Sequence, residues 1–137
     1  MIDVSEYIGT PYKSRGRSLE EGVDCFGLVK IYYENELGLD MGDYWYEHDW
    51  WKDGEKEDAN IIDKPRREGF VEVETDDIRE HDALFFRVLS RTVNHIGIYV
   101  GNGKFLHAKD GQQVMCEPLD RGMGDRLHSI WRHESLA

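Results

Sequence analysis

From Phe70 onward the chain is patterned for strands, and before that point one segment is patterned for a long helix. Phe70-Val71-Glu72-Val73 alternates, and Asp82 to Leu89 is an apolar run of strand length. Val93 to Val100, Lys104 to Ala108 and Gln112 to Cys116 follow as strands, and Ser129 to Arg132 is suited to close the sheet. The helix is predicted over Cys25 to Leu37, with Asp24 as its cap and Gly38 in the left-handed position beyond its end. Its apolar residues Phe26, Leu28, Val29, Ile31, Tyr32, Tyr33 and Leu37 leave Lys30 and Glu34 as a narrow polar strip. A helix of that kind is expected to be buried nearly all round. One helix followed by a meander predicts an α+β domain, the helix packed on an antiparallel sheet.

The 137 residues suit a single domain spanning 1–137. Residues 1–22 read as a short amphipathic start and then a loop. Residues 39–69 break the pattern: ten acids, five bases, three of the four Trp and two Tyr crowd into 31 residues. We read this stretch as a long insertion with one short helix around Trp50 to Asn60, whose Tyr44, Trp45, Trp50 and Trp51 cover one end of a groove or dock the loop.

A net charge of -11, from 28 acids against 17 bases, repels a phosphate backbone and argues against nucleic-acid binding. No apolar run approaches the roughly 18 residues of a membrane span. The first residues, Met1 to Glu6, have neither the basic nor the apolar region of a signal peptide. Two cysteines, Cys25 and Cys116, make no disulfide framework and no paired metal knuckle. Nothing calls for a cofactor.

Cys25 is the residue that points to chemistry. At the first turn of a helix, unpaired N–H groups carry partial positive charge, which favours thiolate and lowers the pKa. Cys116 lies within a strand without that field and reads as a small core residue. Of six histidines, His95 and His107 are related by geometry. Alternation puts His95, Gly97 and Tyr99 on one strand face and Ile96, Ile98 and Val100 on the other. If Gly101-Asn102-Gly103 is a three-residue loop, Gly97 opposes His107, and the histidines lie diagonally at roughly 7 to 8 Å between backbone positions. A two-residue Asn-Gly turn would instead send His107 to the opposite face. Cys25 as nucleophile, His95 as base and His107 as its orienter form a cysteine-hydrolase set. The same three side chains could hold a catalytic zinc, although no short ligand pair supports that reading.

At these residues the chain resembles the NlpC/P60 family of papain-like cysteine peptidases. The resemblance rests on Gly9-Thr10-Pro11-Tyr12, Gly22-Val23-Asp24-Cys25-Phe26-Gly27-Leu28-Val29, Asp82-Ala83-Leu84-Phe85-Phe86 and the run from Asn94 to Ala108. It is similar in particular to stand-alone domains of tailed-phage tail-tip proteins. The resemblance implies a papain-like α+β fold and hydrolysis of peptidoglycan stem peptides, often between D-γ-glutamate and diaminopimelate or lysine. It implies Cys25, His95 and His107 as the catalytic set, Tyr12 as a helper at the oxyanion or substrate, and Asp24 as a contact for a substrate amine. It also implies stem peptides and other tail-tip proteins as partners, with action from the virion tail at the host periplasm or cell wall. Bacterial members usually carry Ser after the cysteine, where this chain has Phe26. The rival expectation is a tail-assembly module with the fold and little turnover.

Overall fold

The computed structural model describes residues 2–40, 69–88, 93 and 95–136. The predicted short helix and the aromatic cover within 41–68 lie outside the described residues.

Two short strands, β1 (Arg17–Ser18) and β2 (Gly22–Val23), pair antiparallel where the sequence suggested only loop. Their tight turn is held by Ser18 Oγ, which accepts from the amides of Glu20 and Glu21. Helix α1 (Cys25–Leu37) follows at once. Asp24 caps it by accepting from the Gly27 amide at 2.7 Å, and Gly38 ends it at φ 65 with its N–H on the Glu34 carbonyl. Burial is less complete than the apolar count suggested. Leu28, Val29, Tyr32 and Tyr33 are buried, but Phe26, Ile31 and Leu37 are only partly so, and Glu34, Asn35 and Glu36 are exposed. The two tyrosines count as apolar by area yet use their hydroxyls, Tyr32 on His81 Nδ1 and Tyr33 on the His81 carbonyl.

The strands β3 (Phe70–Val73), β4 (Ala83–Phe86), β5 (His95–Gly101), β6 (Lys104–Ala108), β7 (Val114–Pro118) and β8 (Leu127–His133) form one antiparallel sheet. Its order is β3-β8-β4-β5-β6-β7. Alternation sorts the side chains into two layers. Phe85, Ile96, Ile98, Leu106, Ala108, Val114 and Trp131 pack with α1, while Leu84, Phe86, Phe105 and Ile130 form a second cluster on the other face. A short helix, α2 (Arg121–Gly124), brings Met123 against that second cluster.

Element ends moved for identifiable reasons. β4 starts after Asp82 because that carboxylate, fully buried, accepts from the Arg79 amide and from Arg132. Its pairing with β8 shifts after Phe85, so it stops at Phe86 rather than Leu89. β7 begins two residues late because Gln112 and Gln113 are used by the N-terminal segment: Tyr12 donates to the Gln112 carbonyl, and Pro11 bridges Gln113. That segment lies along β7, with Val114 N–H on the Thr10 carbonyl at 2.8 Å. The sheet edge is thereby covered and Tyr12 is brought towards the start of α1.

Candidate active site

Cys25 opens α1 as expected, and its sulfur receives the amides of Ile96 and Phe26. The Ile96 amide belongs to β5, one residue beyond His95, so the helix start and the histidine strand meet at the thiol. Charge is where the sequence reading fails. The helix start alone predicts a lowered thiol pKa, but burial and then the Asp24 carboxylate push Cys25 up to about 12. The two amides and Arg17 pull the other way and do not prevail. The cap supplies the physical reason. Asp24 consumes the Gly27 amide that would have contributed to the helix field, and it brings an anion beside the sulfur.

Asp24 itself is 2% exposed. Its Oδ1 accepts from Gly27 and from Arg17 Nη1 at 3.0 Å, and its Oδ2 accepts from the Arg15 amide at 2.9 Å. The side chain that the resemblance assigns to a substrate amine is therefore built into the loop before the helix, with donors from the chain on both oxygens.

His95 and His107 are brought together directly. His95 Nε2 and His107 Nδ1 are hydrogen-bonded at 2.7 Å, with the rings edge to face. The hairpin that does this is not the predicted one. Asn102 and Gly103, both at positive φ, form a two-residue turn with Gly101 opposite Lys104. Such a turn alone would flip His107. A bulge between Tyr99 and Gly101 makes Val100 an extra residue, and the pairing resumes as Tyr99 with Phe105 and Ile98 with Leu106. Turn and bulge offset each other, so His107 shares the face of His95. A Cβ on Gly97 would lie 3.4 Å from His107 Cβ and 3.1 Å from Phe105 Cδ2, so the histidines approach over a residue that has to be bare.

Burial, then the neighbouring charges of His107 and Lys109, lower His95 from 6.5 to about 3. His107, 2% exposed and stacked near Phe105, is also lowered by burial, with Glu117 opposing the shift. The two residues present neutral imidazoles near neutral pH.

Glu117 was missed by the sequence reading. Its Oε2 lies 2.8 Å from His107 Nε2, so an unbroken line of hydrogen bonds runs from His95 through His107 to a carboxylate. The signal was available only with the register in hand. Glu117 pairs with Phe105, two residues from His107 and on the same face, but a strand drawn to end at Cys116 leaves it outside the sheet.

Tyr12 comes close enough to the thiol for charge on Cys25 to bear on it. Burial first, then Cys25, Asp110 and Asp24, raise its hydroxyl well above the ordinary value, so it is a hydrogen-bond donor at neutral pH. Cys116 sits in β7 opposite Leu106 as a free, half-buried thiol. Of the other described histidines, His81 bonds Tyr32, His128 bonds Ser129 and His133 bonds Ser135. The zinc reading loses His107, both of whose ring nitrogens are already engaged. Among the described residues no cluster of three or more His, Cys, Asp and Glu is placed to hold a metal ion. Among those residues, too, no helix is long and apolar enough to cross a membrane.

Comparison with known proteins agrees with this architecture. The chain is 32% identical over 134 residues to tail tip assembly protein K of Escherichia phage lambda, covering 93% of this chain and 65% of that protein. It is 29% identical over 128 residues to murein DD-endopeptidase MepH of Escherichia coli K12, covering 92% of this chain and 41% of that one. It thus spans less than two thirds of either relative. The crystal structure of the NlpC/p60 domain of peptidoglycan hydrolase SagA superposes with a TM-score of 0.64 at 22% identity, covering 94% of each chain. The family model for NlpC/P60 matches residues 9–132, and the chain belongs to the NlpC/P60 family.

Proposed function

We propose that this domain is a cysteine endopeptidase acting on peptidoglycan stem peptides, with Cys25 as nucleophile, His95 as base and His107 as the residue that orients it. The observation carrying this reading is the 2.7 Å bond between His95 and His107, on the strand whose Ile96 amide acts on the helix-start thiol of Cys25. The family, and relatives named as murein endopeptidase and tail-tip assembly protein, favour the substrate class and a place in a phage tail.

The chemistry follows from the protonation states. With the thiol raised and the imidazole lowered, the resting pair is S–H and neutral His95. As sulfur attacks the amide carbonyl, its proton passes to His95. The imidazolium then gives that proton to the departing amine, leaving a thioester. Water, losing a proton to His95, hydrolyses the thioester, and the proton returns to the thiolate. Amides at the start of α1 and the Tyr12 hydroxyl stabilise the oxyanion. Asp24 acts beneath this site by fixing the loop and helix start and by placing negative charge where a substrate amine arrives. The bond cleaved is proposed to be D-γ-glutamyl to diaminopimelate or lysine, with Phe26 in place of the usual serine altering the pocket beside it.

Digestion of purified sacculi, with the new amine terminus identified by mass spectrometry, tests this reading. Release by wild type and none by Cys25→Ala is expected; equal release by both would overturn the thiol mechanism. The phage relative named for tail assembly favours a second reading, a tail module with little turnover, and that reading predicts no release by either form.

A further inference from the structure

We propose that Glu117 is a positioning residue that fixes the tautomers of His107 and His95, leaving His95 Nδ1 as the open base. This inference rests on the peptidase reading for its effect on catalysis, but the tautomers can be measured without turnover.

Donors and acceptors along this line decide where each proton sits. A carboxylate only accepts, so the 2.8 Å contact with Glu117 requires the proton of His107 on Nε2. His107 is buried and neutral, so its Nδ1 then carries a lone pair. That nitrogen is 2.7 Å from His95 Nε2, and the bond forms only if His95 donates. Neutral His95 therefore carries its proton on Nε2 and keeps Nδ1 unprotonated. Reversing the first assignment reverses the second: with a proton on His107 Nδ1, His95 Nε2 becomes the acceptor and His95 Nδ1 is blocked by hydrogen. One acid at the far end sets the basic atom two side chains away.

Among the described residues, Glu117 is the anion that favours proton uptake by His107. Lys109 opposes it at both histidines. On the same strand, Cys116 feels Lys104 and Glu117 with opposite sign. As His95 gains a proton in catalysis, its Nε2–H bond to His107 strengthens, and Glu117 anchors the other side of that ring.

The experiment is nitrogen NMR of the histidine rings at pH 7 in wild type, Glu117→Gln and Glu117→Ala, alongside kcat, KM and the pH profile on a soluble stem peptide. In wild type, both rings should carry the proton on Nε2. A wild-type His107 protonated on Nδ1 overturns the proposal outright. Glu117→Ala should mix the tautomers and lower kcat about 10-fold or more with KM within about 2-fold, in the range for support residues of a reactive site. Glu117→Asp should restore part of kcat. Glu117→Gln can still accept from Nε2–H, so it should keep the tautomers but change the acid side of the pH profile. A lowered melting temperature in Glu117→Ala with unchanged tautomers and kcat would make Glu117 a mere strand clip and refute the assignment. Altered tautomers in a domain whose wild type cleaves no wall peptide would uphold Glu117 and refute the peptidase reading.

Discussion

Arg132 holds Asp82 from 50 residues away in a two-pronged pair, Nε on Oδ1 and Nη2 on Oδ2, both at 2.8 Å. Arg132 also reaches the Asp77 carboxylate and carbonyl, so one guanidinium ties β8 to the turn that launches β4. Both members of the central pair are buried, with side chains 5% and 0% exposed. Removing one partner strands the other in a dry site. Arg132→Met should cost about 3–5 kcal/mol in urea unfolding. The double replacement Arg132→Met with Asp82→Leu should recover much of the loss. A single replacement within 1 kcal/mol of wild type, on the order of an exposed pair, would show that the pair carries no such weight.

Cys25 should behave as a half-buried, protonated thiol rather than a standing thiolate. Because it is raised to about 12, its alkylation by iodoacetamide should climb about tenfold per pH unit between 7 and 9. A rate already level at pH 7 would contradict the raised value. Cys116→Ala should leave wall-peptide cleavage near wild type, whereas Cys25→Ala should abolish it while keeping the circular dichroism of the fold.

The shifted groups of the site also set limits on stability. His95 is lowered from 6.5 to about 3, so between those values the unfolded chain binds a proton that the fold refuses. The contribution is whole above about pH 6.5 and is lost as pH falls toward 3. His107 acts in the same direction. Cys25 is raised from 9.0 to about 12, so its contribution is whole below pH 9 and is lost as pH rises above it. Urea midpoints measured from pH 7 down to pH 4 should fall less steeply in His95→Gln than in wild type. Parallel curves would remove His95 as a source of the acid slope.

Gly97→Ala should damage site and stability together. Its added methyl would meet the Leu106 carbonyl at 2.9 Å and crowd Phe105 and His107. Separating β5 from β6 to relieve this would lengthen the bond between His95 and His107. A loss of about 1–3 kcal/mol with a larger fractional loss of kcat is expected. Full activity with lowered stability would show that the histidine pair tolerates the strain.

Helix α1 was legible from its two ends, because Asp24 and Gly38 are residue types that act through backbone geometry. The histidine face was legible from alternation, which is also local. The hairpin was read with the wrong turn and the right outcome, since a bulge leaves no mark in the apolar pattern beyond the glycine that accommodates it. The thiol charge was misread because a helix field is a property of sequence position, whereas desolvation is a property of everything packed around the sulfur. Glu117 was invisible for a related reason. Its partner lies on another strand, and only register connects them.

The bulge at Val100 has a consequence for how this hairpin can change. Side chains on a strand are assigned to faces by parity, odd or even, counted around the turn. The two-residue turn and the one extra residue together make the count that puts His107 with His95. Losing either alone would turn β6 over, presenting Leu106 where His107 belongs and pushing an imidazole into the layer against α1. Length variation here is therefore quantised. Inserted residues can accumulate in pairs without harm to the site, while a single one erases it, even though every residue named in the chemistry would still be encoded.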